Sequence, residues 1–105
     1  MIGIFKENEE RYINWYRANP EGYVFNHFKG SDPDYNKIHI ATCRTLWRQK
    51  DAGVRTKVEK ICSSNLDELI QMTANVRDKK GFSFCKICMT DHVNKNDLSV
   101  NKSFF

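Results

Sequence analysis

Two short pairs of histidine and cysteine residues, far apart along the chain, constrain this fold more than any other sequence feature. Cys85 and Cys88 form a C-x2-C turn, and His39 and Cys43 form an H-x3-C pair. Two intervening residues let the chain fold back so that both thiolates reach one ion at about 2.3 Å. A lone C-x2-C also occurs in redox motifs, but a second pair completes the four soft or borderline ligands of a tetrahedral zinc site. The spacing therefore predicts a structural zinc ion held by His39, Cys43, Cys85 and Cys88.

An alternative interpretation of the same residues needs no metal. Cys43 would then be a small buried hydrophobe, and His39 an ordinary hydrogen-bonded strand residue. Cys62 is the spare thiol, and burial is the favoured role for such a cysteine. It is also the obvious substitute ligand if His39 does not bind the ion, and His27 and His92 are weaker substitutes.

Length and composition indicate how the four cysteines are used. A chain of 105 residues is enough for one domain with a modest core, which benefits from a metal staple. No apolar run is long enough to cross a membrane, and the N-terminus turns acidic at once, unlike a secretory signal. We therefore expect a cytoplasmic protein with no membrane partner, whose thiols stay reduced and serve as metal ligands or buried groups.

The periodicity of apolar residues predicts two helices. The first spans about 8–18, where Tyr12, Trp15 and Tyr16 share one face and are interpreted as core residues. The second begins after Ser63 or Ser64, which is predicted to cap it. Its inner face is predicted to carry Leu66, Leu69, Ile70 and Thr73, with Val76 near the same side.

Three strands are predicted between and beside these helices, over 23–28, 37–40 and 54–62. In the second of them, alternation places Ile38 and Ile40 on one face and His39 on the other. The fold class is therefore α+β: a small, mainly antiparallel sheet flanked by two helices, with a C-terminal zinc knuckle. We expect one zinc-binding domain over 1–89 and a polar C-terminal tail over 90–105.

Positive charge is concentrated between Lys37 and Lys60. This segment holds seven basic and two acidic residues, a net charge of +5, whereas the whole chain carries +4. Local charge of this kind favours a polyanion such as nucleic acid, although a solvated basic loop would look the same. Trp47 lies among these charges and could stack on a base, or it could be a core aromatic. The predicted nucleic-acid contacts are Arg44, Trp47, Arg48, Lys50, Arg55 and Lys57.

The order of these motifs resembles a known family. A strand with H-x3-C, a helix, and then Phe82-Ser83-Phe84-Cys85-Lys86-Ile87-Cys88 is similar to the zinc-binding domain at the N-terminus of the Ada DNA-repair protein. It is similar also to Ada-like modules attached to bacterial nucleases and restriction or defence proteins. The resemblance covers about 38–89. It implies zinc binding by His39, Cys43, Cys85 and Cys88, a module that faces DNA, and a bacterial or phage restriction or defence context.

One departure from the Ada pattern bears on chemistry. In that family, the first ligand of the first pair is the cysteine that accepts a methyl group, and here the position is His39. An imidazole lacks the metal-bound thiolate that alkyl transfer requires. The gap between Cys43 and Cys85 is also longer than the family pattern leads us to expect. The departure argues against a methyl-acceptor protein, and we expect a non-catalytic zinc module that binds nucleic acid, with DNA favoured.

Two other function classes are weighed against that expectation. A protein–protein adaptor would use zinc only to stabilise the fold, and the N-terminal aromatic helix would contact its partner. A metal-dependent nuclease is suggested by Asp91-His92 after the C-x2-C turn, with Asn94 and Asn96 beyond it. Nucleases of that kind need a ββα unit after the histidine, and the polar residues after His92 show no helical pattern. The sequence therefore favours a binding protein over an enzyme.

Overall fold

The structure is a computed structural model that describes residues 1–92. Within these residues the chain forms a mixed α/β fold with five strands and two α-helices. The predicted tail over 90–105 therefore lies almost wholly outside the described residues. Neither helix within 1–92 combines the length and apolar character needed to span a membrane. The strands are β1 (Gly3–Phe5), β2 (Tyr23–His27), β3 (Lys37–Ile40), β4 (Glu59–Ser63) and β5 (Ser83–Phe84), and the helices are α1 (Glu9–Ala18) and α2 (Leu66–Arg77).

The five strands form one sheet in the order β1-β4-β2-β3-β5. Three of the four neighbouring pairs are antiparallel, and β3 pairs with β5 in parallel. The predicted fold class is confirmed. The short strands β1 and β5 were not predicted, since strands of three and two residues carry no readable alternation.

Each face of the sheet packs against one helix. Because side chains alternate along a strand, Val24 and Phe25 point to opposite faces. Val24 belongs to a buried cluster with Tyr12 of α1, whereas Phe25 belongs to another with Leu69 of α2. We call these the α1 face and the α2 face. Register then places His39 opposite Val24, and so on the α1 face.

Helix α1 matches its prediction. Asn8 caps it, because its side chain accepts a hydrogen bond from the backbone N–H of Arg11. Tyr12 is completely buried, and Trp15 and Tyr16 pack partly buried against the same cluster. The interpretation of these three aromatics as core residues is confirmed.

Helix α2 differs from its prediction at both ends. Its N-cap is Asn65, whose side chain accepts from the backbone N–H of Glu68, and not Ser63 or Ser64. The hydroxyl of Ser63 instead donates to the Glu68 carboxylate and accepts from the N–H of Asn65. At the other end Val76 is exposed, whereas the predicted inner positions Leu69 and Thr73 are fully buried.

The third predicted strand, 54–62, is wrong over its first half. Residues Arg55–Lys57 form a 3-10 turn, and β4 begins only at Glu59. This stretch is bound to the start of α1 instead of to a strand. Thr56 accepts hydrogen bonds from the backbone N–H groups of Glu7 and Asn8 through its carbonyl and hydroxyl oxygens, respectively. These tertiary contacts override the alternating pattern.

Candidate metal centre

Four side chains from distant parts of the chain converge at one end of the sheet. His39 lies in β3, Cys43 follows β3 after a tight turn, and Cys85 and Cys88 follow β5. Their ligand atoms all lie within 4.8 Å of one another. His39, Cys43 and Cys85 are buried, and Cys88 is half-buried. The four residues form a candidate metal-binding site.

Parallel pairing of β3 with β5 brings the two halves of the site together. Ile38 stands opposite Phe84, and the backbone N–H of Cys85 donates to the carbonyl of Ile38 at 2.9 Å. The pairing therefore places Cys85 beside His39, the next residue of β3. The first pair closes in a similar way, since the N–H of Cys43 donates to the carbonyl of Ile40 at 3.0 Å.

Backbone amides also point at two of the sulfur atoms. The N–H of Ile40 donates to Sγ of Cys88 at 3.4 Å, and the N–H of Ile87 donates to Sγ of Cys85 at 3.4 Å. Hydrogen bonds to an ionised acceptor are stronger than those to a neutral one. These donors therefore suit sulfur atoms that carry negative charge, as metal-bound thiolates do.

The spacing of the ligand atoms fits a tetrahedral ion. Zinc–sulfur bonds of about 2.3 Å at tetrahedral angles place two sulfurs about 3.8 Å apart. Sγ of Cys43 and Sγ of Cys85 lie 3.9 Å apart, and all four ligand atoms lie within 4.8 Å of one another. Three thiolates and one imidazole make a closed donor set, with no water or substrate position of the kind that a catalytic zinc keeps. The residues therefore fit a structural zinc.

Burial changes the protonation of the ligands. It lowers the pKa of His39 to about 4, with a further lowering by the nearby charges of Lys60 and Lys37. His39 is therefore a neutral imidazole at pH 7, the form that binds metal. Burial raises the pKa of Cys88. At Cys43, burial also acts to raise the pKa, but hydrogen bonds, led by that of Thr45, outweigh it, so that the pKa of this thiol is lowered. A divalent cation would stabilise both thiolates by its charge.

The substitute ligands named above lie elsewhere. Cys62 is completely buried in the α1-face cluster. His27 pairs with Glu59, with Nδ1 2.9 Å from Oε1, and the His92 ring packs beside Phe84. Within residues 1–92, the ligand cluster is therefore built from His39 and not from these residues.

Thr45 is a site residue that sequence reasoning missed. Its hydroxyl lies 3.1 Å from Sγ of Cys43 and 3.4 Å from Nδ1 of His39, so that it can hydrogen-bond two ligands. Groups that orient metal ligands in this way contribute to affinity. The sequence signal that could have identified Thr45 was its position two residues after Cys43.

We expect Thr45→Val to weaken metal binding about tenfold, because the isosteric methyl cannot hydrogen-bond Cys43 or His39. Competition with a chromophoric zinc chelator measures the affinity. Thr42→Val is the matched control, since Thr42 is exposed and close in sequence. Equal affinities for the two variants would show that Thr45 does not support the ligands.

The residues predicted to contact nucleic acid fall into two groups. Arg44, Arg48, Lys50 and Lys57 are exposed, although Arg48 pairs with Asp51 at 3.0 Å. The others, Trp47 and Arg55, are partly buried and are held by the fold.

Trp47 packs against the aromatic residues of α1. Its ring stacks on Tyr12 at a centroid distance of 5.3 Å, and Nε1 donates to the carbonyl of Ala41 at 2.7 Å. The guanidinium of Arg55 lies 4.9 Å from the Trp47 ring centroid and pairs with Glu9 at 2.7 Å. These contacts give both residues a structural role.

The nuclease alternative rests largely on residues outside the described part of the chain. Asp91 is exposed, and neither Asp91 nor His92 belongs to the ligand cluster. Asn94 and Asn96 lie beyond residue 92. The described residues therefore supply no second metal site for that chemistry.

Comparison with protein-family models, curated proteins and solved structures finds no match for this chain. The resemblance to Ada-like zinc domains therefore stays a prediction from the motif.

Proposed function

We propose that this chain is a zinc module that presents a basic segment to nucleic acid. The observation that carries the proposal is the position of Cys43. This ligand directly precedes the basic segment, defined here as 44–57, so that the ion would fix the point where the segment leaves the sheet. Zinc is the proposed metal because three thiolates and one imidazole form a soft, closed, tetrahedral donor set.

Among the cations of the basic segment, three are exposed and form no ion pair with any carboxylate of residues 1–92: Arg44, Lys50 and Lys57. Contacts with phosphates position a protein on nucleic acid without selecting a sequence. Arg48 can join them if it exchanges Asp51 for a phosphate. Trp47 is left out of this surface because its ring packs on Tyr12. DNA is the favoured nucleic acid on the Ada resemblance alone.

We expect the zinc-loaded protein to bind labelled DNA with an affinity that falls steeply with salt. If four phosphates are neutralised on duplex DNA, raising the salt from about 50 to about 200 mM lowers the affinity on the order of 100-fold. Fluorescence anisotropy with single- and double-stranded DNA and RNA measures this slope. An affinity independent of salt would contradict the proposal.

The matching variant test removes the three unpaired cations together, as Arg44→Gln, Lys50→Gln and Lys57→Gln. We expect the salt slope to fall by about 2 to 3, since each lost phosphate contact removes just under one. The control triple variant Arg17→Gln, Lys79→Gln and Lys80→Gln changes the charge equally at other exposed positions. Arg55→Ala is unsuitable because it also breaks the pair with Glu9. Equal slopes for the two triple variants would remove the basic segment from the proposal.

A further inference from the structure

A cleft lies beside the metal centre, on the α1 face of the sheet. Two adjoining cavities of about 320 and 200 Å3 make it up. We call it the Lys60 cleft. The wall common to both cavities consists of Asn26, Phe28, Thr45, Leu46 and Arg48.

The ammonium group of Lys60 is the most unusual feature of this cleft. Lys60 lines the larger cavity, yet it is only 5% exposed. Its Nζ donates to Oδ1 of Asn26, and no carboxylate of residues 1–92 forms an ion pair with it. Buried charges are normally paired, because burial without a partner is costly. A ligand that brings negative charge into the cleft would supply the missing counter-charge.

The charges around Lys60 favour such a ligand. Lys37 and Lys57 also line the cleft and form no ion pair with a carboxylate of residues 1–92. Arg48 and Arg55 line it too, but they are paired with Asp51 and Glu9, so that Asp34 is the one lining carboxylate without an ion pair in that range. Burial lowers the pKa of Lys60 to about 8, which leaves the ammonium mostly protonated at pH 7. A concave surface with one predominant sign of charge concentrates ligands of the opposite sign.

Two exposed aromatic rings add a second recognition element. Phe28 lines both cavities and is 53% exposed, and Tyr35 lines the smaller one and is 67% exposed. The other Phe, Tyr and Trp side chains within residues 1–92 are buried or half-buried. Exposed rings next to a basic cleft are the arrangement that binds unstacked bases, since every base offers a flat face.

We propose that the Lys60 cleft binds a nucleoside phosphate, with the phosphate at Lys60 and the base against Phe28 and Tyr35. The nucleoside phosphate is either a unit of single-stranded nucleic acid or a free nucleotide. If the ligand is a unit of nucleic acid, the proposal rests on the proposed function and adds that the nucleic acid is single-stranded and not a duplex. It also assigns roles to Phe28, Tyr35 and Lys60, none of which was predicted as a contact.

The test measures binding of four ligands to the zinc-loaded full chain by titration calorimetry. The ligands are a short oligothymidylate, adenosine 5′-monophosphate, adenosine and inorganic phosphate. Lys60→Met is expected to weaken binding at least about tenfold, the effect of losing a charged hydrogen bond. Phe28→Ala with Tyr35→Ala is expected to weaken it about 5- to 150-fold. Lys79→Met, and Ile4→Ala with Val76→Ala, are controls at exposed positions outside the cleft.

Competition separates the two sources of ligand. If adenosine 5′-monophosphate displaces the oligothymidylate, the cleft accepts free nucleotides. If only the oligothymidylate binds, the cleft binds a nucleotide unit of a single strand. Both results support the proposal. Since the rings of Phe28 and Tyr35 are exposed, their double variant keeps the test valid even if Lys60→Met unfolds. Inorganic phosphate binding as tightly as the nucleotide would overturn the proposal.

Failure of this proposal is distinguishable from failure of the proposed function. If the cleft variants bind both nucleic acid and adenosine 5′-monophosphate as the wild type does, while Arg44→Gln, Lys50→Gln and Lys57→Gln together weaken nucleic-acid binding, the cleft proposal is overturned and the proposed function stands. If adenosine 5′-monophosphate binds through the cleft and no nucleic acid binds, the cleft proposal stands and the proposed function is overturned.

Discussion

Removal of the proposed zinc ion is expected to unfold this protein at 25 °C. A structural zinc site contributes on the order of 10 kcal/mol of binding free energy at pH 7. The total stability of a domain is about 5 to 15 kcal/mol, so that the ion would account for most of it. The cluster joins the end of β3 to the turn after β5, which is held in the sheet by only two residues, Ser83–Phe84. Without the ion, three buried or half-buried thiols would crowd together with a histidine.

The measurement combines metal analysis of the purified protein with thermal unfolding followed by circular dichroism. We expect one zinc per chain, and loss of the cooperative transition when a strong chelator is added. Cys85→Ser is expected to reproduce the effect of the chelator. Cobalt substitution checks the ligands directly, because the thiolate-to-cobalt absorption decreases when Cys85 is replaced.

Cys62→Ala is the matched control for this experiment. Cys62 is also a completely buried cysteine, but it lies in the α1-face cluster and outside the ligand group. We expect this variant to keep one zinc per chain and to lose only about 1 kcal/mol, as in a typical core truncation. A metal-free wild-type protein that unfolds no more readily with chelator would refute the zinc site.

The clustering of the four candidate ligands was predictable from sequence because each pair is local. An H-x3-C and a C-x2-C place their own two ligands close together with little dependence on the rest of the fold. The means by which the two pairs meet was not predictable. It depends on parallel pairing of Ser83–Phe84 with β3, and two residues carry no periodic signal.

The basic segment shows where local patterns mislead. Val54, Thr56 and Val58 alternate with polar residues as a half-buried strand would. In the structure, residues 55–57 form a 3-10 turn because the start of α1 binds them, across more than forty positions of sequence. A single sequence gives no sign of such distant hydrogen bonds. The Lys60 cleft was not predictable for the same reason, because the burial of Lys60 depends on the packing of the sheet and not on its neighbours in sequence.

Glu9→Ala is expected to destabilise the zinc-loaded protein by about 3 to 5 kcal/mol. The Glu9 carboxylate accepts three hydrogen bonds of 2.7 Å, from the backbone N–H groups of Gly53 and Arg55 and from the Arg55 guanidinium. The Arg55 side chain is only 11% exposed, so that its charge would be left largely buried without a partner. The two loop amides would lose their acceptor at the same time.

Denaturant unfolding of the zinc-loaded variants measures this cost, and Glu10→Ala is its control. Glu10 lies in the same first turn of α1, but it is exposed, so that we expect its loss to cost less than about 1 kcal/mol. A double variant, Glu9→Ala with Arg55→Ala, separates the causes. If an unpaired buried charge dominates, removing Arg55 as well recovers part of the lost stability, because no buried guanidinium then remains. If Glu9→Ala and Glu10→Ala cost the same, Glu9 does not hold the basic segment against α1, and the 3-10 turn over 55–57 must be stabilised by other contacts.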